Sequence, residues 1–222
     1  MKIAIIGAGY VGLVSGACFS EFGVQVTCVD KDAEKIKGLL AGICPIYEPG
    51  LDKLIHSNTV SGRLRFSVDL KSAVAEADIV FIAVGTPSRR GDGHADLTFV
   101  YSAAAEIAEA MDGYTVVVTK STVPVGTGRQ IKRIVSEIAG EHTFDVVSNP
   151  EFLREGAAIN DFMHPDRVVI GAETERALIL LRELYRPLFL LDTPILETDL
   201  ETAELIKYAA KDRKSTRLNS SH

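Results

Sequence analysis

Three glycines set the first chemical signal in the chain. Gly7, Gly9 and Gly12, in the run Gly7-Ala8-Gly9-Tyr10-Val11-Gly12, follow the apolar start Ile3 to Ile6 and open a stretch with helical periodicity. A glycine at the first position permits a tight turn. One at the second lets the backbone approach a pyrophosphate, and one at the third lets the helix sit close on its strand. Tyr10 and Val11 then fall in the first turn of the helix, whose free N–H groups and positive dipole end suit phosphates. Asp30 ends the next apolar run, 18 residues past Gly12. A carboxylate there accepts hydrogen bonds from both adenosine ribose hydroxyls and repels a 2′-phosphate, so NAD is expected over NADP. Lys31 reads as solvated. Lys35, one helical turn later, either reaches toward the cofactor or lies on a solvated helix face.

Further loops carry chemistry after apolar runs. Gly85-Thr86-Pro87-Ser88 offers the Thr86 hydroxyl at a strand-end turn, either for a ligand or for the turn itself. Lys120-Ser121-Thr122-Val123-Pro124 leads through Gly126 to Gly128, where hydroxyls can orient a substrate group or a water, or cap the helix that follows. In Asn149-Pro150-Glu151-Phe152-Leu153-Arg154-Glu155-Gly156, the carboxylates of Glu151 and Glu155 stand four apart, which on a helical turn places them on one face. They can divide base work from ligand binding, or they can be a surface pair with Arg154 between them.

The elements that must position these loops alternate along the chain. Apolar, β-branched runs at 3–6, 24–29, 79–84, 115–119, 145–148 and 167–170 read as a parallel strand series. Helical patterns fall at 10–22, 32–41, 51–57, 70–76, 97–111, 128–139 and 173–185. Strands apolar on both sides and separated by helices predict an α/β, doubly wound, mainly parallel Rossmann-type sheet over residues 1–198, and a last helical pattern falls at 201–210. In such a sheet ligands bind beyond the carboxyl ends of the strands, so the loops named above should share one cleft.

Composition narrows the function. A formal net charge of −6 gives no electrostatic pull toward nucleic acid, and no apolar run approaches the length of a membrane span; a cytoplasmic protein is expected. Cys18, Cys28 and Cys44 form no CxxC pair and have no companion histidines at zinc spacing, so reduced thiols and no metal are expected. Cys18 and Cys28 read as small core residues, and Cys44 is unassigned. His56, His94, His142 and His164 read as satisfied or solvated. After Ala210 the text turns polar. Residues 211–222 look like translated adapter sequence that breaks the helical pattern, or else a natural polar tail.

The glycine turn, Tyr47-Glu48-Pro49-Gly50-Leu51, Gly85-Thr86-Pro87, Lys120 to Gly126, Asn149 to Gly156, His164-Pro165-Asp166-Arg167 and Ala203-Glu204-Leu205-Ile206-Lys207-Tyr208-Ala209-Ala210 together resemble the UDP-glucose and GDP-mannose dehydrogenases, over residues 1–210. The wording is most like members acting on UDP-glucose. The resemblance implies oxidation of a UDP-sugar C6 alcohol to a carboxylate by two hydride transfers to NAD, through a thioester on a cysteine. It places Asp30, Lys35, Thr86, Thr122 and Glu155 at NAD. Glu151 becomes a general base or activates the hydrolytic water, and Thr122 helps hold that water. Lys207 stabilises negative charge developing on the C6 oxygen. Phe152, Leu153, Arg154 and Glu155 lie along the sugar nucleotide. A homodimer is implied for the intact enzyme, with residues 199–210 as the start of a long interdomain and dimer-forming helix.

Two departures qualify the resemblance. An asparagine that follows Tyr-Ala-Ala in the family is Lys211 here, and no cysteine here corresponds to the catalytic one. This chain alone is therefore expected only to bind NAD. Rival readings are a GDP-mannose or UDP-N-acetylhexosamine dehydrogenase, a non-catalytic NAD-binding module, and a one-step alcohol dehydrogenase.

Overall fold

The computed structural model describes residues 1–87, 95–139, 144–189 and 192–219, the last nine of these by their backbone alone. In chain order the elements are β1 (Lys2–Ile6), α1 (Tyr10–Glu21), β2 (Gln25–Val29), α2 (Ala33–Leu40), α3 (Leu51–Val60), β3 (Leu64–Ser67), α4 (Leu70–Ala75), β4 (Ile79–Ile82), α5 (Thr98–Ala110), β5 (Thr115–Thr119), α6 (Thr127–Ala139), β6 (Phe144–Ser148), α7 (Ala158–Met163), β7 (Val168–Gly171), α8 (Glu175–Leu184), α9 (Arg186–Phe189), β8 (Ile195–Thr198) and α10 (Leu200–Asn219). The strands form one sheet in the order β3-β2-β1-β4-β5-β6-β7-β8. This is the expected doubly wound α/β architecture.

Alternation explains why the strand text is apolar throughout. Ile3 and Ile5 of β1, Ile79 and Phe81 of β4, and Val116 and Val118 of β5 enter one core layer with α1 and α8. Their neighbours Ala4, Ile6, Val80, Ile82 and Val117 enter the other, with α5 and α6. Residues pointing to opposite faces both meet helices, so no polar side is left. The first layer centres on Phe19, whose ring lies 5.2 Å from Phe81, 5.0 Å from Phe162 and 5.4 Å from Tyr185.

Several boundaries and one direction differ from expectation. The expected parallel series fails at β7, which pairs antiparallel with β6 at Ser148↔Gly171, while β8 runs parallel to β7. The connection from β6 holds only the short α7 and returns along the same sheet edge, and an antiparallel neighbour needs no crossover. Strands β3 and β8 and helices α7 and α9 were absent from the expected set. Helix α10 runs through Asn219, past the break expected at Ala210. Residues 211–218 contain no glycine or proline, so nothing in them stops a helix. Residues 220–222, like Ser88, His94 and His142, lie outside the described residues. Among the described residues no helix is long and apolar enough to cross a membrane.

Helix α10 sits directly on β7. A Cβ at Gly171 would stand 2.6 Å from Ala203 Cβ and 2.6 Å from the Asp199 carbonyl oxygen. Both neighbours belong to backbone or to the root of a side chain, so neither can move alone. Gly171→Ala should therefore cost about 1–3 kcal/mol. A urea titration followed by circular dichroism checks this, and an unchanged midpoint would show that α10 is not seated there.

Candidate dinucleotide and catalytic site

The loops flagged by sequence gather at one edge. They follow β1, β2, β4, β5 and β6, the parallel part of the sheet, at its carboxyl ends. Helix α1 starts at Tyr10 straight after Gly9. Its seat depends on Gly12, where a Cβ would come 1.8 Å from the Gly7 carbonyl oxygen. Gly7 has φ +107°, a backbone region that side chains disfavour, and its own Cβ would meet the Ala83 carbonyl at 2.7 Å. At Gly9, by contrast, a Cβ would find nothing within 4 Å. The turn is thus pressed against β1 and β4 on its inner side and open on its outer side, which fits a phosphate approaching the helix N-terminus.

Asp30 is held in place at the end of β2 by three donors. Its carboxylate accepts from the Ala8 N–H at 2.9 Å, the Asp32 N–H at 3.0 Å and Lys35 Nζ at 2.8 Å. Burial alone would raise its pKa, but the hydrogen bond from Lys35 and those from the Asp32 and Ala8 amides hold the carboxyl below its usual range. Of the two readings for Lys35, the solvated one is set aside, because its side chain is mostly covered and pairs with Asp30. Lys31 instead pairs with Glu106 at the surface.

Thr86 and Thr122 are brought together, the Thr86 hydroxyl donating to the Thr122 carbonyl at 3.1 Å. Ser121 donates its hydroxyl to the Val84 carbonyl at 2.7 Å, which ties the loops after β4 and β5. The segment from Asn149 to Ala157 is irregular, so the expected helical face shared by Glu151 and Glu155 does not exist. Pro150 disfavours a helix at the residue before it. Glu151 is covered and turns inward, while Glu155 is exposed. Arg154 turns away to Asp161, with guanidinium contacts of 2.6 and 3.0 Å.

Glu151 meets Lys207, 56 residues away in sequence. Lys207 Nζ donates to the Glu151 carboxylate at 3.0 Å and also to the Glu151 carbonyl oxygen. The carboxylate accepts the Leu153 N–H at 2.6 Å, and the ring of Phe152 lies 5.3 Å from Lys207 Nζ. Glu204 sets this reach. It is 1% exposed and accepts from the N–H groups of Gly126 at 2.6 Å and Gly128 at 2.7 Å, pinning α10 to the start of α6. Lys207, three residues on, then falls on the same helix face. The sequence reading gave Glu204 no role; its spacing from Lys207 was the available signal.

Lys120 also escaped the sequence reading. Its ammonium is buried among Phe19, Phe81, Phe162 and Tyr185, all with ring centres within 5.6–5.9 Å of Nζ. It donates to Asn149 Oδ1 and to the Tyr185 hydroxyl, each at 3.1 Å, and the Asn149 amide donates to the Val169 carbonyl at 2.8 Å. Lys120 therefore braces the turn that presents Glu151 from below. Glu48 is a third buried charge beyond the sequence reading, which gave it no role of its own. It is 5% exposed and accepts from the Tyr10 hydroxyl and from the Gly156 and Ala158 N–H groups, both at 2.8 Å. Burial pulls its pKa up, but those donors hold the carboxyl below the usual range.

Cys18 and Cys28 are fully buried in the first core layer, as expected, and burial pushes both thiols up to about 12, unsuited to nucleophilic work. Cys44 is partly covered beside that layer. His56 and His164 are exposed.

The buried ammonium of Lys120 gives a pH signature. Burial lowers its pKa from 10.5 to about 8, with Glu151 opposing and Lys207 assisting. Below pH 8 it is charged whether folded or unfolded, and the cost of burying the charge is present in full. Between about 8 and 10.5 the folded chain has shed a proton that the unfolded chain keeps, so stability rises with pH, at most by about 1.4 kcal/mol per unit. From pH 9 upward the raised thiols pull the other way, and because the Lys120 ammonium partly holds the Cys18 thiol down, the comparison with Lys120→Met is read between pH 8 and 9. The stability of the parent relative to Lys120→Met should therefore climb from pH 8, as urea unfolding at stepped pH measures. A flat difference would mean that Lys120 does not titrate there.

Residues 1–189 match the UDP-glucose/GDP-mannose dehydrogenase family, NAD binding domain. The UDP-glucose 6-dehydrogenase of Rhizobium meliloti (strain 1021) is 63% identical over 211 residues, 94% of this chain and 48% of the relative. UDP-glucose 6-dehydrogenase TuaD of Bacillus subtilis (strain 168) is 51% identical over 98% of this chain and 47% of its own length. Among solved structures, a ternary complex of GDP-mannose dehydrogenase from Pseudomonas aeruginosa superposes with a TM-score of 0.93 at 38% identity, covering 98% of this chain and 51% of that one. The chain thus spans about half the length of the curated relatives it matches. With the dinucleotide turn, the fixed Asp30 and this match over most of its length, the chain belongs to the UDP-glucose/GDP-mannose dehydrogenase family and carries its NAD-binding domain.

Proposed function

We propose that the chain serves an NAD-dependent dehydrogenase that oxidises UDP-glucose to UDP-glucuronate in the cytoplasm. The observation that carries this reading is the meeting of Glu151 and Lys207 at the same sheet edge as the glycine turn and Asp30. The choice of sugar is supported by the relative named UDP-glucose 6-dehydrogenase at 63% identity. Bound NAD supplies the hydride acceptor.

In this reading, Asp30 accepts the adenosine ribose hydroxyls while Lys35 orients its carboxylate, and the first turn of α1 at Tyr10 and Val11 faces the phosphates. Thr86 and Thr122 line the inner wall. Glu151 takes the proton of the C6 alcohol, or of the water that completes the oxidation. Lys207 holds the negative charge growing on the C6 oxygen, in a covered setting where a single ammonium acts strongly. Phe152, Leu153 and the backbone of Arg154 run along the sugar nucleotide. The overall change from alcohol and one water to carboxylate gives two hydrides to two NAD and releases three protons, through a thioester on a reactive thiol. Neither Cys18 nor Cys28 fits that thiol, and the whole protein would provide it, as a homodimer.

Calorimetric titration of this chain should show NAD binding more tightly than NADP, and Asp30→Ala should weaken NAD by about tenfold or more while narrowing that preference. Equal affinity for the two cofactors would remove Asp30 from the role. In the whole protein, Glu151→Gln and Lys207→Ala should each lower kcat with UDP-glucose by about 10²-fold or more. Faster turnover with GDP-mannose or a UDP-N-acetylhexosamine would reassign the sugar but keep the chemistry.

A further inference from the structure

We propose that Glu48 is a positioning residue that couples the dinucleotide turn to the loop bearing Glu151, so that an occupied NAD site tightens the stretch from Glu151 to Ala158. The inference rests on the NAD-binding role given to the glycine turn above.

The carboxylate of Glu48 joins parts of the chain that are far apart in sequence. Its partners stand 38 residues away at Tyr10, 108 away at Gly156 and 110 away at Ala158. One oxygen, Oε2, receives both the Tyr10 hydroxyl and the Gly156 N–H, and Oε1 receives the Ala158 N–H. Glu48 itself stands on firm ground, since its carbonyl accepts the Leu51 N–H at 3.1 Å where α3 begins, and α3 packs on α1. A buried carboxylate loses much if any one of its donors leaves, because each compensates charge taken out of water.

The two sides that Glu48 joins differ in how their backbone is held. Tyr10 is the first residue of α1, directly after Gly9, where the open outer side of the turn admits a phosphate. The stretch from Glu151 to Ala157 has no backbone ladder of its own. Beyond one turn, in which the Ala157 N–H donates to the Arg154 carbonyl at 3.0 Å, its shape comes from side chains that catch its N–H groups: Glu151 at Leu153, Asp161 at Arg154, and Glu48 at Gly156 and Ala158. Gly156 takes φ +83° to present its N–H to Glu48. A phosphate that fixes the first turn of α1 fixes the Tyr10 hydroxyl, which in turn fixes the Glu48 carboxylate and the two amides beyond it. Coupling of this kind is reciprocal, so a sugar nucleotide ordering the loop would favour NAD in turn.

Amide hydrogen exchange of this chain, with and without saturating NAD, tests the idea. In the parent, NAD should slow exchange at Gly156 and Ala158 by about fivefold or more. Glu48→Gln should still bind NAD and protect the Leu13 amide within α1, yet lose the NAD-dependent slowing at Gly156 and Ala158. Tyr10→Phe, compared at its own saturation, should lose it too, and it carries the test if Glu48→Gln does not fold. A residue that only supports the fold would change exchange equally in the two conditions and leave the ratio intact. That result, or a parent that binds NAD with no slowing at either amide, overturns the coupling. A parent that fails to bind NAD overturns the cofactor reading itself and is recognised separately in the calorimetric titration.

Discussion

The contact on which everything else depends is the near touch between α1 and the end of β1. The helix can lie that close because Gly12 lacks a side chain where the Gly7 carbonyl stands, and because Gly16 lacks one where Cys28 Sγ would be 2.5 Å from a Cβ. This closeness aims the helix N-terminus at the carboxyl edge of the sheet and brings Phe19 into the heart of the first core layer. The same ring then forms part of the cage around Lys120, and Lys120 braces the Asn149 turn. The cofactor turn and the loop of the acidic residue are thereby built on one foundation.

Charge is arranged around Glu151 with little slack. Lys207 reaches it from α10, and Lys120 lies on the far side of the same turn among aromatic rings. Two buried or covered ammonium groups flanking one carboxylate keep strong fields where water is scarce. The arrangement is held by neutral partners as well: Asn149 and Tyr185 satisfy Lys120, and the Gly126 and Gly128 amides satisfy Glu204, which seats the helix carrying Lys207.

Much of the fold was legible, because a strand covered on both faces leaves an unbroken apolar run. The runs at β1, β4 and β5 are of that kind. The edge strands were not legible for the converse reason: Leu64–Ser67 carries an exposed Arg65, and Ile195–Thr198 is largely uncovered. Helix α7 spans 6 residues, too few for a period to show. In the site, glycine spacing revealed the dinucleotide turn because backbone geometry demands glycine there. Separate roles for Glu151 and Lys207 came only through resemblance, and their direct contact was not foreseen, since no local pattern tells which helix a loop will face. Glu48, Lys120 and Glu204 stayed hidden because a buried charge is written with the same letter as a solvated one.

The join between β6 and β7 has a mechanical meaning. These strands meet at Ser148↔Gly171, and the Asn149 amide reaching the Val169 carbonyl extends the bond by one side chain. Across this narrow seam lies α10, packed on β6, β7 and α6 together. The helix acts as a splint. The sheet is continuous in outline, and β7 and β8 share in its cooperativity through that splint together with the first core layer, which Val168, Ile170 and α8 enter; Glu151 follows β6 and Lys207 is carried by the splint. The pairing of Glu151 with Lys207 is therefore also a gauge of assembly, complete only when the two parts of the sheet have closed on one another.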